Sequence, residues 1–206
     1  MSNQYLPTKS NLLKIQESIR LSKQGRELLE RKRLILMKEK EKYRQQAKDL
    51  RNTVDQMLME AMDLFQQANI DMGFNLIHDI AEEIPKENSI DIKYKTVMGV
   101  EIPSIVYHKT ESKDQLNYGF HHTTISFDKS VVQFYEIKEK LIQLAELENT
   151  VSRLETSIMK VQTRSNALEN IIIPRDENVA KKIKETLEEK EREDFSRLKL
   201  IKKKIG

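Results

Sequence analysis

The sequence has no cysteine and no tryptophan, and only five glycines and four prolines in 206 residues. Without cysteine there is no disulfide framework and no thiolate metal site, which fits a reducing compartment. None of the glycines stands in a phosphate-cradling spacing beside Lys and Ser/Thr, which argues against a nucleotide site in this chain. No apolar run approaches the roughly 18 residues that a membrane span needs. The first residues, Met1 to Thr8, lack the basic start and apolar core of a signal peptide. Together these absences predict a soluble, intracellular protein with no direct membrane insertion.

What is present is charge and helical periodicity. A third of the residues are charged and 38% are apolar, a balance of long helices rather than of a compact ball. From Leu12 and Ile15, steps of seven reach Ile19, Leu29, Leu36, Tyr43, Leu50, Val54, Met57, Ala61, Leu64 and Ala68, the seam of a coiled coil. Ser22, Arg26, Arg33 and Lys40 interrupt it, while Leu21, Leu28 and Ile35 run beside it as a second apolar line, which predicts a broadened or shifted stripe there. Thr8 is the expected N-cap, and no proline interrupts the stretch between Pro7 and Pro85. The pattern predicts one helix over 8–72, roughly 95 Å long at about 1.5 Å per residue. A helix of that length needs a partner for its stripe.

A middle segment, 73–125, starts with a short helix carrying Phe74, Leu76, Ile77, Ile80 and Ile84. The period then changes to two. Ile90, Ile92 and Tyr94, then Val100, Ile102 and Ile105, flank Met98-Gly99 and predict a β-hairpin over about 89–107. Pro103 marks its second strand as short, bulged or at an edge. A second long helix is predicted over 126–205, capped near Ser126 or Asp128. Its seam runs through Phe134, Ile137, Leu141, Leu144, Leu147, Val151, Leu154, Ile158, Val161, Ser165, Leu168 and Ile172, with a kink near Pro174. The fold predicted is mainly α: a long antiparallel two-helix coiled coil, a helical hairpin, with a small β-hairpin insertion. Leu50, Val54 and Met57 should face the second helix within Leu147–Val161.

No residue is singled out as catalytic, cofactor-binding or metal-binding. His121 and His122 are adjacent, which points their rings apart, so a polar turn is the better reading than a metal site. The carboxylates alternate with Lys and Arg at helical spacing, as solvated faces do. Charge is nevertheless uneven. Residues 9–48 hold 13 Lys/Arg against 5 Glu, and 181–204 hold 10 against 6 Asp/Glu, within a chain of net charge +3, so the remainder is acidic. The basic run through Arg26, Arg31 and Arg33 reads as a nucleic-acid footprint or, with Glu27, Glu30, Glu39 and Glu41 interleaved and few aromatics, preferably as a solvated coiled-coil face or a protein-facing surface. Gly25 is either tolerated in its helix or lets a partner helix approach closely.

Pro7-Thr8-Lys9, Leu12-Leu13-Lys14 and Gly25-Arg26-Glu27-Leu28-Leu29-Glu30-Arg31-Lys32-Arg33 lie near one end. Arg164-Ser165-Asn166-Ala167-Leu168-Glu169, Ile173-Pro174-Arg175 and Glu191 to Lys199 lie near the other. In this order and spacing the chain resembles the D subunit of the V-type and archaeal-type rotary ATPases over nearly its whole length. The resemblance implies a non-catalytic central-stalk rotor, holding no cofactor and peripheral to the membrane on its cytoplasmic side. Its paired terminal helices would enter the hexamer of catalytic A and B subunits, and its other end would bind a funnel-like subunit on the membrane rotor ring as well as the F subunit. Torque would pass along it between ATP turnover and proton or sodium transport. On that reading Arg26, Arg31, Arg33, Lys202, Lys203 and Lys204 are the candidate partner-binding residues. The alternatives are a coiled-coil interaction protein of an export apparatus and a basic nucleic-acid-binding coiled coil.

Overall fold

A computed structural model describes residues 6–83, 90–107, 118–119 and 122–205. In chain order they form α1 (Lys9–Met72), α2 (Phe74–Glu83), β1 (Ile90–Val97), β2 (Val100–Tyr107), α3 (Ile125–Ala167), a π turn (Leu168–Ile172) and α4 (Ile173–Ile205). The class is the one expected: mainly α with a two-stranded insertion. Two compact units result, a terminal unit of Met1–Ile35 with Ile158–Gly206, and a middle unit of Leu36–Ser157.

Helix α1 starts as the sequence predicts, with the Asn11 N–H donating to the Thr8 hydroxyl at 3.2 Å. It ends at Gly73, whose φ of 80° is cheap only for glycine and whose N–H donates back to the Asn69 carbonyl. The start of α3 corrects the expected cap. Thr124, not Ser126 or Asp128, accepts the Phe127 N–H, at 3.4 Å, and Asp128 lies in the first turn. There it accepts the Tyr118 hydroxyl at 2.7 Å.

In the terminal unit the two helical stretches run antiparallel, since the partner number falls as the α1 number rises: Lys9 pairs with Glu191, Lys23 with Glu177 and Arg26 with Glu169. Ile15, Val161, Ile173 and Ile183 are its buried apolar residues, together with the hydroxyl of Ser165. The expected broadening of the stripe does not occur. Leu21, Leu28 and Ile35 are 55%, 64% and 44% exposed, while Leu29 stays in the seam. At the interrupted positions Arg26 and Arg33 carry their charges to Glu169 and Glu30, so neither cation is left unpaired beside the seam.

The break expected at Pro174 takes the form of a π turn, with α3, the turn and α4 following one another without a non-helical residue. The Ile173 N–H donates to the Leu168 carbonyl, five residues back. Such a turn absorbs one extra residue. Steps of three and four from Val161 lead to 165, 168 and 172 and onward to 175, 179 and 182. The buried positions past the turn are instead Ile173 and Ile183, one residue later, so the turn brings two out-of-phase apolar runs onto one face. Pro174 cannot donate, and in a regular helix its ring would press on the Asn170 carbonyl; a widened turn just before it relieves that clash.

In the middle unit the pairs Lys40–Glu155 and Arg51–Glu148 again show α1 and α3 antiparallel. Val54, Ala61 and Ile137 form one buried cluster, with Leu50, Met57, Leu58 and Phe134 packed on it. Beside Leu50, Arg51 meets Glu148 at the edge of the expected window 147–161, while Val54 and Met57 cluster with Ile137 and Phe134, before it. A second cluster joins Ala68 to Ile77 and Ile80 of α2, Tyr118, and Phe127 of α3, with the Tyr118 and Phe127 rings edge to face at 5.4 Å.

The hairpin turns on Met98 and Gly99, whose φ values of 50° and 77° give the twist that suits paired strands. Its register pairs Val97 with Val100 and Tyr94 with Pro103. Pro103 therefore falls at a position whose N–H would point away from β1, so β2 keeps its full length and the proline costs no ladder bond. Val100, Ile102 and Ser104 are buried, and α3 holds the outer edge of β2: Ile105 N–H donates to Glu146 Oε2 at 2.8 Å, and Arg153 donates to the Glu101 carbonyl at 3.2 Å. Arg153 also lies 5.2 Å from the centre of the Tyr94 ring.

Candidate partner-binding surface

Three of the candidate residues are already engaged within the terminal unit. Arg26 Nη1 lies 2.6 Å from Glu169 Oε1, Arg31 pairs with Glu27 one turn back, and Arg33 Nη2 lies 2.6 Å from Glu30 Oε1. Arg33 is the least exposed, at 28% of its side chain, and the hydrogen bond to Glu30 raises its pKa further above the usual arginine range. As the interleaved glutamates suggested, these arginines are paired with glutamates at helical or cross-helix spacing. Lys202 and Lys203 differ. Both stand exposed in the last turn of α4 and make no ion pair with a described residue. Lys204 belongs to α4, but its side chain is outside the described residues.

A feature the charge count missed is the apolar character of the same end. Beyond Leu187 every described side chain of α4 is exposed, among them Phe195 at 70%, Leu198 at 65% and Ile201 at 52%. Their spacing of three continues a helical stripe, yet none of the described elements covers it. On α1, Leu13 at 67% joins Leu21 and Leu28 as outward leucines. Large apolar side chains left in water along a helix are the signature of a surface that another chain covers.

Nothing in the described geometry resembles a reaction centre. Among the described residues no three His, Cys, Asp or Glu side chains gather as metal ligands would. The grooves are shallow and lined by paired charges, as where Arg44, Lys48, Arg51 and Glu148 surround Ala47. His122 is exposed and His121 lies outside the described residues, as do Ile84, Pro85 and most of the loop at 109–119. No described helix is long and apolar enough to cross a membrane.

Comparison with known proteins places the chain in a family. The family model for the ATP synthase D subunit matches residues 11–203. The V-type ATP synthase D subunit of Thermotoga neapolitana is 37% identical over 97% of this chain and 98% of its own. The A-type ATP synthase D subunit of Pyrococcus horikoshii is 36% identical over 95% of this chain and 92% of its own. That of Methanopyrus kandleri is 35% identical over 95% and 84%. With the match running almost end to end, the chain belongs to the family of ATP synthase D subunits.

Proposed function

We propose that this chain is the central rotor subunit of a V/A-type ATP synthase, a non-catalytic part that passes torque between the catalytic hexamer of A and B subunits and the membrane rotor ring. The observation that carries the reading is the family match over residues 11–203. The helices support it: α1 is unbroken over 64 residues, and α3, the π turn and α4 join without a gap, so backbone hydrogen bonds carry twist along each. In this reading the paired terminal helices sit in the bore of the hexamer. The uncovered Phe195, Leu198 and Ile201 are apolar contacts there, and Arg26, Arg31, Arg33, Lys202, Lys203 and Lys204 meet acidic loops. The acidic middle of the chain lies outside the bore and binds both the funnel-like partner on the rotor ring and the F subunit. The complex is peripheral to the membrane on the cytoplasmic side and couples ATP turnover to proton or sodium movement.

The absence of cysteine gives a direct test, because one introduced thiol is unique. A bead or fluorophore attached at Thr96→Cys, exposed beside the hairpin turn, should rotate when an immobilised hexamer holding this chain is given ATP. A probe that stays fixed while the same hexamer hydrolyses ATP refutes the rotor reading.

A further inference from the structure

The terminal unit carries a helix defect in each of its two strands, and the two lie face to face. On α1 the defect is Gly25, a residue that loosens a helix interior. On the opposite strand it is the π turn with Pro174 behind it. A methyl group added at Gly25 would stand 3.9 Å from Leu168 Cδ1, the first residue of the π turn, with no other atom as near. That is ordinary contact. The glycine is therefore not required for close approach, and its place opposite the turn calls for another reason. At the same level an open groove separates the strands, lined by Arg20, Gln24, Glu169, Ile173 and Pro174. Beside the buried Ile173, the polar contacts spanning the groove are exposed: Arg26 with Glu169 at 2.6 Å, Lys23 with Glu177 at 2.7 Å, and Ser18 with Asp176 at 3.4 Å. Contacts of this kind hold position while tolerating a change of angle.

We infer that Gly25 and the π turn form a compliant joint, a level at which both strands of the terminal unit yield together in twist or bend. Each defect alone softens one helix. A helix packed on a stiff neighbour cannot use its own softness, so a joint needs both strands weak at one height. The π turn departs from the regular ladder, with the Ile173 N–H bonded five residues back, and Pro174 behind it has no N–H to restore that ladder. The three polar tethers limit the excursion without locking it. The inference concerns this chain's own mechanics and stands whether or not the chain is a rotor.

Amide hydrogen exchange on the full-length chain tests it. Residues 22–28 and 168–176 should exchange about tenfold or more faster than 12–18 and 152–160. Gly25→Ala, which fits without a clash, should slow residues 22–28 by roughly two- to fivefold. It should also slow 168–176 on the opposite strand, because stiffening one side removes the freedom of the other. Uniform protection along both strands overturns the joint. So does a Gly25→Ala effect confined to α1, which would show two separate defects rather than one device.

Discussion

The two units use the same kind of helix pair and hold it together by different means. The middle unit buries large side chains completely, with Leu154 at 0% and Ile137 at 2%, and adds two aromatic clusters and a hairpin tied to α3. The terminal unit buries four apolar residues, Ile15, Val161, Ile173 and Ile183, and leaves Leu13, Leu21, Leu28, Phe195, Leu198 and Ile201 in water. Exposed ion pairs join the helices of both units, each worth about 0–1 kcal/mol, but in the terminal unit they have less apolar burial beside them. Apolar burial contributes roughly 1.5–3 kcal/mol for a large side chain. The difference teaches that the middle unit supplies more of its own packing, although Ile70, Phe74 and Ile125 stay exposed there, while the terminal unit leaves a larger share of its stability to whatever surrounds it.

The largest expected effect comes from breaking the better-packed side. Leu154→Ala should destabilise the middle unit by about 2–5 kcal/mol, read from the urea midpoint of its helical signal. Ile183→Ala should cost the terminal unit less, since fewer buried apolar residues are described there; an equal loss would abolish the contrast. Next is the Tyr118–Asp128 lock. The Tyr118 phenol is held well above its ordinary pKa of 10.0, first by burial and then by the hydrogen bond to Asp128. A raised folded pKa means that this stabilisation is complete below pH 10 and is lost as pH rises beyond it. Tyr118→Phe should cost about 1–2 kcal/mol at neutral pH and remove that alkaline loss, measured by thermal melts across pH 8–11.

A smaller change is expected at the hairpin. Glu146→Ala leaves the Ile105 N–H without its acceptor, at about 1 kcal/mol, and should speed tryptic cleavage at Lys93 and Lys95 while leaving the helical signal intact. Unchanged cleavage would show that β2 is held by its buried residues alone. Smallest is the tie at the open end. Its bond to Glu191 raises the Lys9 pKa, and its bond to Lys9 lowers that of Glu191. The pair therefore contributes between the two ordinary values, 4.5 and 10.5, and fades as pH falls below the first or rises above the second. The protection of the amides around Glu191, taken against the intrinsic exchange rate at each pH, should fall at pH 3.5 or in 1 M salt. The same conditions should leave residues 50–61 unaffected.

Much of this was legible in the residues. Period seven located both long helices, and Met98-Gly99 between two alternating runs located the hairpin turn. What the pattern left ambiguous was which of two parallel apolar lines is buried, because Arg26, Arg33 and Lys40 look like interruptions until their partners Glu169, Glu30 and Glu155 are seen. The meeting of Val54 with Ile137 was not legible either, since two clean seams pair equally well at several registers until the start of α3 is fixed. The π turn left a trace, a one-residue slip between Ile172 and Ile173 in an otherwise regular series, which Pro174 beside it made easy to read as a kink. The candidate arginines were visible as charges, but their neutralisation depended on partners, and Glu169 is 143 residues away from Arg26.

The hairpin has one further consequence. Pro103 has no donor to offer, the Ile105 donor is taken by Glu146, and the Glu101 acceptor is taken by Arg153, so the outer side of β2 is chemically closed. Among the described residues no third strand pairs with the outer side of β1, and Ile90, Ile92 and Tyr94 stand exposed along it. The insertion is thus a template with one blocked edge and one available edge. Any extended segment that joined it would have to arrive at β1, and so could add in only one direction.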